Sequence, residues 1–153
     1  MNRIRLGLTA GVVAVVTGAL VVTSGWAQPS AQPTSLHLVS TTQNDVGFGP
    51  RHNSPTAGDR FATGDRITGD DTGIDRVICT VVDKSDALCT ASLRLSKGTL
   101  TAQTLVSFTS QPGSKEAWAI TGGTGAYDGA SGTAIVTDIP DTPKADIQIT
   151  LRP

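Results

Sequence analysis

The 153-residue sequence has little of most residues that carry recognisable chemistry. It holds one glutamate, Glu116, against twelve aspartates. Aspartate favours turns and glutamate favours helices, so the skew argues against helical faces. Six aromatic residues are too few for a nucleic-acid surface built on stacked rings. The only two histidines, His37 and His52, come with no His-x-x-x-His or Cys-x-x-Cys spacing. No metal site and no cofactor is therefore expected. A Gly-x-Ser-x-Gly elbow is missing too, which removes the common serine hydrolase. Basic residues do not outnumber acidic ones, at 12 against 13, so a polybasic nucleic-acid or membrane surface is excluded.

What is present points to export and to β-structure. Arg3 and Arg5 form a basic head, Leu6–Val22 is apolar but for Gly, Ala and Thr, and Gly25-Trp26-Ala27 offers a small-x-small cleavage site. The chain therefore divides into a signal peptide (1–27), a flexible leader rich in Pro and small polar residues (28–34) and one domain (35–153). Secretion is the expectation. The rival is an uncleaved anchor, since the apolar run is near the lower length limit of about 17 residues for a membrane span. Seventeen Gly, eight Pro and many Thr favour short strands and turns.

Alternation predicts eight strands: 35–41, 59–68, 74–82, 87–95, 98–109, 115–121, 132–137 and 145–151. Ala145, Ile147, Ile149 and Leu151 share one face, opposed by Asp146, Gln148, Thr150 and Arg152. Leu100, Ala102, Val106 and Phe108 do the same in the fifth run. Mostly tight connections and one dry face per strand suggest an antiparallel barrel or sandwich around a single interior. The sixth run has Ala117 and Ala119 opposite Trp118 and Ile120, so its outer face calls for a covering loop or another subunit. Thr42 to Gly58 reads as a long loop, either a lid over one mouth or a surface segment.

Four features bear on chemistry. Cys79 and Cys89 flank a predicted hairpin turn on the apolar face. They form either a cross-strand disulfide or leave Cys79 a thiol lining the interior. The run Ile120–Val136 is glycine-rich but lacks the Gly-Lys-Ser/Thr ending of a phosphate loop, so it reads as a corner with Tyr127 packed over it. Asp70-Asp71 is most simply a solvated turn. His37 points either inward or to solvent, because Leu36 and Leu38 claim the dry face.

The order GDRF (58–61), Cys79-Thr80-Val81-Val82, Cys89-Thr90 and TGGTGAYDGASGT (121–133) resembles the allene oxide cyclase barrel-like proteins and their dirigent relatives. The likeness spans roughly Ser35 to Leu151. It implies an all-β fold, a single eight-stranded antiparallel barrel with an apolar cavity for a hydrophobic small molecule. It also raises a homo-oligomer, a trimer or a dimer. Plant members carry a cysteine in the strand after the GD segment, and Cys79 occupies the matching place. They also place a glutamate near the end of the first strand, where this chain has Gln43, Asn44 and Asp45. The resemblance thus marks Cys79 and Asp45 as catalytic candidates. Phe61, Val77, Leu100, Phe108, Tyr127 and Ile147 are the candidate ligand-binding residues. The implied activity is ring closure of a bound hydrophobic molecule by an isomerase or cyclase. The alternative is a non-catalytic, dirigent-like or ligand-binding secreted barrel.

Overall fold

The computed structural model describes residues 35–48, 55–110 and 113–152. The expected signal peptide and leader lie outside them. Eight strands follow one another without an intervening helix: β1 (Ser35–Phe48), β2 (Arg60–Gly69), β3 (Gly73–Val81), β4 (Asp86–Leu95), β5 (Gly98–Ser107), β6 (Lys115–Gly125), β7 (Gly132–Ile139) and β8 (Lys144–Leu151). Each pairs antiparallel with its sequence neighbours, and β8 closes onto β1 from Ser35↔Thr150 to Thr41↔Lys144. The result is a closed up-and-down barrel, which removes every sheet edge along the closed part.

Side-chain alternation decides what fills it. Along β4 every second residue, from Ala87 to Leu95, is buried while the intervening ones are half-buried or exposed. β8 repeats this with Ala145, Ile147, Ile149 and Leu151 inward. A period of two on a closed sheet can only mean one interior.

Three expectations are corrected. Thr42–Phe48 is strand rather than loop: after a bulge between Thr42 and Asn44, β1 continues along β2 as far as Phe48↔Arg60. The bulge absorbs Gln43 as the extra residue and bends the strand beyond the point where β8 ends. The part of the expected loop at 49–54 lies outside the described residues. Second, Gly122, Gly123 and Gly125 belong to β6 itself, opposite Thr101, Leu100 and Gly98. A Cβ on Gly123 would come within 2.2 Å of the Tyr127 carbonyl oxygen, so the returning chain lies directly on this glycine. Third, Asp71 is buried, at 4% exposure, and not solvated.

No described residue covers the outer face of β6, where Ala117 and Ala119 are exposed. The larger apolar side chains of the outer wall stand elsewhere, with Leu88 opposite Leu105 on β4 and β5 and Ile78 on β3. His37 faces outward and is hydrogen-bonded through Nε2 to the Asp146 carboxylate, which raises the imidazole pKa.

Cys79 and Cys89 face each other across β3 and β4 and are joined by a disulfide, their Cα atoms 4.1 Å apart. Cys79 therefore presents no free thiol. The bridge spans a sequence separation of 10. Closing so short a loop stabilises by about 2–3 kcal/mol on the chain-entropy account. The double variant Cys79→Ala/Cys89→Ala is expected to lose that much in urea unfolding; a loss below about 1 kcal/mol would remove the bridge from the stabilising contacts.

Candidate functional site

The two ends of the barrel differ. At one end the β2–β3, β4–β5 and β6–β7 connections meet. Tyr127, fully buried, donates its hydroxyl to Asp71 Oδ2 at 2.8 Å. Asp71 Oδ1 accepts from the Thr72 N–H at 2.7 Å and from both the hydroxyl and the N–H of Ser96. Burial alone would raise the Asp71 pKa; the bonds from Ser96, Tyr127 and Thr72 overcome it and hold the carboxyl at about 2. Burial, with the bond to Asp71 and its charge, raises the Tyr127 pKa. This end is shut by side chains and needs no ligand to complete it.

The other end is open. A cavity of about 670 Å³ runs into the barrel from the β5–β6 and β7–β8 connections. Its walls are mostly apolar, with Val77, Leu93, Trp118, Val136, Ile147 and Ile149 among them. Such a volume falls within the usual range for small-molecule sites. Ser110, Gly113 and Ser114 stand at the mouth beside Asp141 and Lys144.

Two carboxyl groups break the apolar wall. Asp65 on β2 and Asp75 on β3 are directly paired across the strands and both line the cavity. They are buried, at 8% and 4% exposure, and Oδ1 of each has no hydrogen-bond partner. Cross-strand partners hold their Cβ atoms about 5 Å apart, so the two charges repel at close range. Burial raises the Asp75 pKa first and the Asp65 charge raises it further. Arg76, the next residue along the strand, offsets part of this, and the result is about 7. Asp65 is raised too, by burial, against the Thr42 hydroxyl and Arg76. Near neutral pH Asp75 is therefore close to half-protonated, its neutral form favoured by burial and by the neighbouring Asp65.

The candidate residues are distributed as follows. Val77 and Ile147 line the cavity. Leu100 and Tyr127 are fully buried toward the shut end, outside the lining. Phe61 packs on the core from the open end and meets Phe108 with ring centroids 6.3 Å apart, but neither ring lines the cavity. Asp45 is exposed, opposite Thr63 on the part of β1 that reaches past β8. It is not brought together with Cys79, whose sulfur is in the disulfide.

Sequence reasoning passed over Asp65, Asp75 and Glu116, although their parity was available. Asp75 shares its face with Val77 and Cys79, and Asp65 with Thr63 and Ile67. Glu116 alternates inward with Trp118 and lines the cavity, accepting from the Ser110 hydroxyl at 2.7 Å.

Comparison with known proteins agrees with this architecture. A family profile described as "Allene oxide cyclase barrel like domain" matches residues 35–151. Among curated proteins no sequence matches. Among solved structures, "Pyocyanin demethylase" is similar with a TM-score of 0.67 and 22% identity, over 77% of this chain and 99% of that one. A structure described as "A nonspecific heme-binding cyclase catalyzes [4 + 2] cycloaddition during neoabyssomicin biosynthesis" has a TM-score of 0.63 and 15% identity, over 80% of this chain and 66% of that one. The pterocarpan synthase dirigent protein GePTS1 has a TM-score of 0.57 and 19% identity, over 76% and 84%. At these identities the likeness establishes the fold.

Proposed function

The chain belongs to the allene oxide cyclase barrel-like family, and from that premise we propose that it takes a hydrophobic small molecule into the barrel and directs its ring closure or isomerisation. The observation that carries this reading is the pair of buried carboxyls, each with one oxygen that has no hydrogen-bond partner, set in a mostly apolar cavity. A folded monomer that needed only a solid core would fill that wall with methyl groups, because an unpaired buried polar group costs roughly 1–3 kcal/mol.

The mechanism follows from the geometry. Apolar walls hold a flexible chain in one curled conformer, so the entropy loss of ring closure is met on binding. The shut end leaves one route for water, and a bound guest closes that route, which protects a labile epoxide or cation from hydrolysis. The Asp65 and Asp75 carboxyls face the positive charge that develops as the ring forms. No atom is gained or lost in such a closure, so the product is an isomer of the substrate. The relatives described as a cyclase and as a dirigent protein act within the same barrel architecture. Export of the chain belongs to the same proposal, on the N-terminal residues read above.

Mass spectrometry of protein purified from its native host tests the reading. A hydrophobic molecule of up to cavity size is expected to be released on denaturation. The variant Ala91→Phe, which fills the wall opposite Val77, is expected to carry none. If the wild type releases nothing and binds no member of a panel of hydrophobic probes, the ligand reading fails.

A further inference from the structure

Resting on the ligand-binding reading, we infer that the molecule this barrel accepts carries a single positively charged, hydrogen-donating nitrogen on an apolar body, seated on Asp65 and Asp75, and that hydrophobic carboxylic acids are rejected. Three observations lead there. First, each carboxyl is more than nine-tenths buried, each has a free Oδ1, and both belong to the cavity wall. Carboxylate oxygens only accept, so what satisfies them must donate, and an ammonium offers up to three donors at one point. Second, the remaining charges of the lining have the same sign. Glu116, Asp138 and Asp141 join the pair, against Lys144 alone. A low-dielectric cavity with one sign of charge draws in the opposite sign and repels its own. Third, apart from the hydroxyls of Thr42 and Thr63 the walls beside the pair are hydrocarbon, with Leu93 opposite Asp75 and Val77 opposite Thr63. Such walls suit an organic cation with an apolar body. Among the described residues no three His, Cys, Asp or Glu side chains gather as a metal site would require.

The groups facing Asp75 are Asp65 from β2 and Leu93 from β4, with the Thr42 hydroxyl from β1 beside Asp65. Arg76 acts on both carboxyls from the outer side, where its guanidinium lies against Gly64. Among the described residues the one cation of the cavity lining is Lys144, at the mouth. A guest's ammonium would supply the missing charge.

Calorimetric titration of the full chain with n-octylamine, n-octanol and octanoate separates the alternatives, because the three share one apolar body. The expected order is octylamine, then octanol, then octanoate, with octylamine ahead of octanol by about tenfold or more, the effect of one charge-assisted hydrogen bond. Raising the pH from about 6 to about 8 is expected to tighten octylamine and leave octanol unchanged, as Asp75 gives up its proton. In Asp65→Asn/Asp75→Asn the amine preference is expected to disappear while octanol binding persists, which also shows that the variant is folded. Equal binding of octylamine and octanol by the wild type, or tighter octanoate, overturns the cationic head and leaves the ligand-binding reading standing. A calcium titration that saturates the pair and abolishes octylamine binding overturns the organic cation in favour of a metal. Failure of all three probes overturns this inference and the ligand-binding reading together.

Discussion

At about pH 8 the variant Asp75→Asn is expected to be more stable than the wild type by about 2–3 kcal/mol, on the order of 10 °C in melting temperature. The reason is the charge that Asp75 carries into the barrel. Its carboxyl has an ordinary pKa of 3.8 in the unfolded chain and about 7 in the fold. Below 3.8 it is protonated in both states and costs nothing. Between the two values the unfolded chain ionises more readily than the folded one, so folding loses stability as pH rises. Above about 7 both states are ionised and the whole penalty, on the order of 4 kcal/mol, is in force. Asparagine has no charge to bury, but its amide still lacks partners, so the net gain is smaller than the penalty. At about pH 4 the two proteins are expected to melt nearly together, because a protonated Asp75 and an asparagine are near equivalents. Thermal unfolding followed by far-UV circular dichroism at both pH values decides the matter. Equal melting temperatures at high pH, or a less stable variant there, would show that Asp75 is not strained by its burial. A residue that weakens the fold at neutral pH is kept for what it does, and here the variant is also expected to lose the amine preference argued above.

Much of the barrel was legible because its signal is local. A closed sheet needs each strand to alternate, and Ala145 to Leu151 alternates without exception, so β8 could be placed from seven letters. The extension of β1 carries no such signal. Gln43, Asn44 and Asp45 are polar, Gly47 and Pro50 follow, and only pairing with Arg60–Gly64 holds the segment as strand. That pairing is non-local and reached through a bulge. The carboxyl pair shows the same division. The parity of Asp65 and of Asp75 can each be read along its own strand. That they meet depends on the β2–β3 register, which the turn between Gly69 and Gly73 sets. Asp70-Asp71 misled for a related reason. Acidic residues beside glycine usually mean a wet turn. Nothing nearby announces that Ser96 and Tyr127, 25 and 56 residues further on, converge on Asp71.

Removing that convergence is expected to be the most damaging change at the shut end. Asp71→Ala leaves three donors without an acceptor, the Tyr127 hydroxyl, the Ser96 hydroxyl and the Thr72 N–H, while the Ser96 N–H keeps its bond to the Thr72 carbonyl. Unsatisfied buried donors cost roughly 1–3 kcal/mol each, and some of these three can turn to water, so the expected loss is about 3–5 kcal/mol. Tyr127→Phe removes one donor together with its need, and is expected to cost only about 1–2 kcal/mol. The pH dependence separates this carboxyl from Asp75, because the sign is opposite. Asp71 is held at about 2, below its ordinary 3.8, so its stabilisation is complete above 3.8 and is lost as the pH falls through about 2. About 2 kcal/mol of the wild-type acid sensitivity should therefore be missing in Asp71→Ala and mostly retained in Tyr127→Phe. Urea unfolding of the three proteins at neutral pH and at about pH 2–3 measures both effects. A variant Asp71→Ala within about 1 kcal/mol of the wild type, with an unchanged acid limb, would mean that water replaces the carboxylate freely and that this end of the barrel is open too. The expected result instead ties the two ends together. The clasp around Asp71 shuts one end, so the guest proposed above would enter through the mouth near Lys144 into the cavity that Asp65 and Asp75 line.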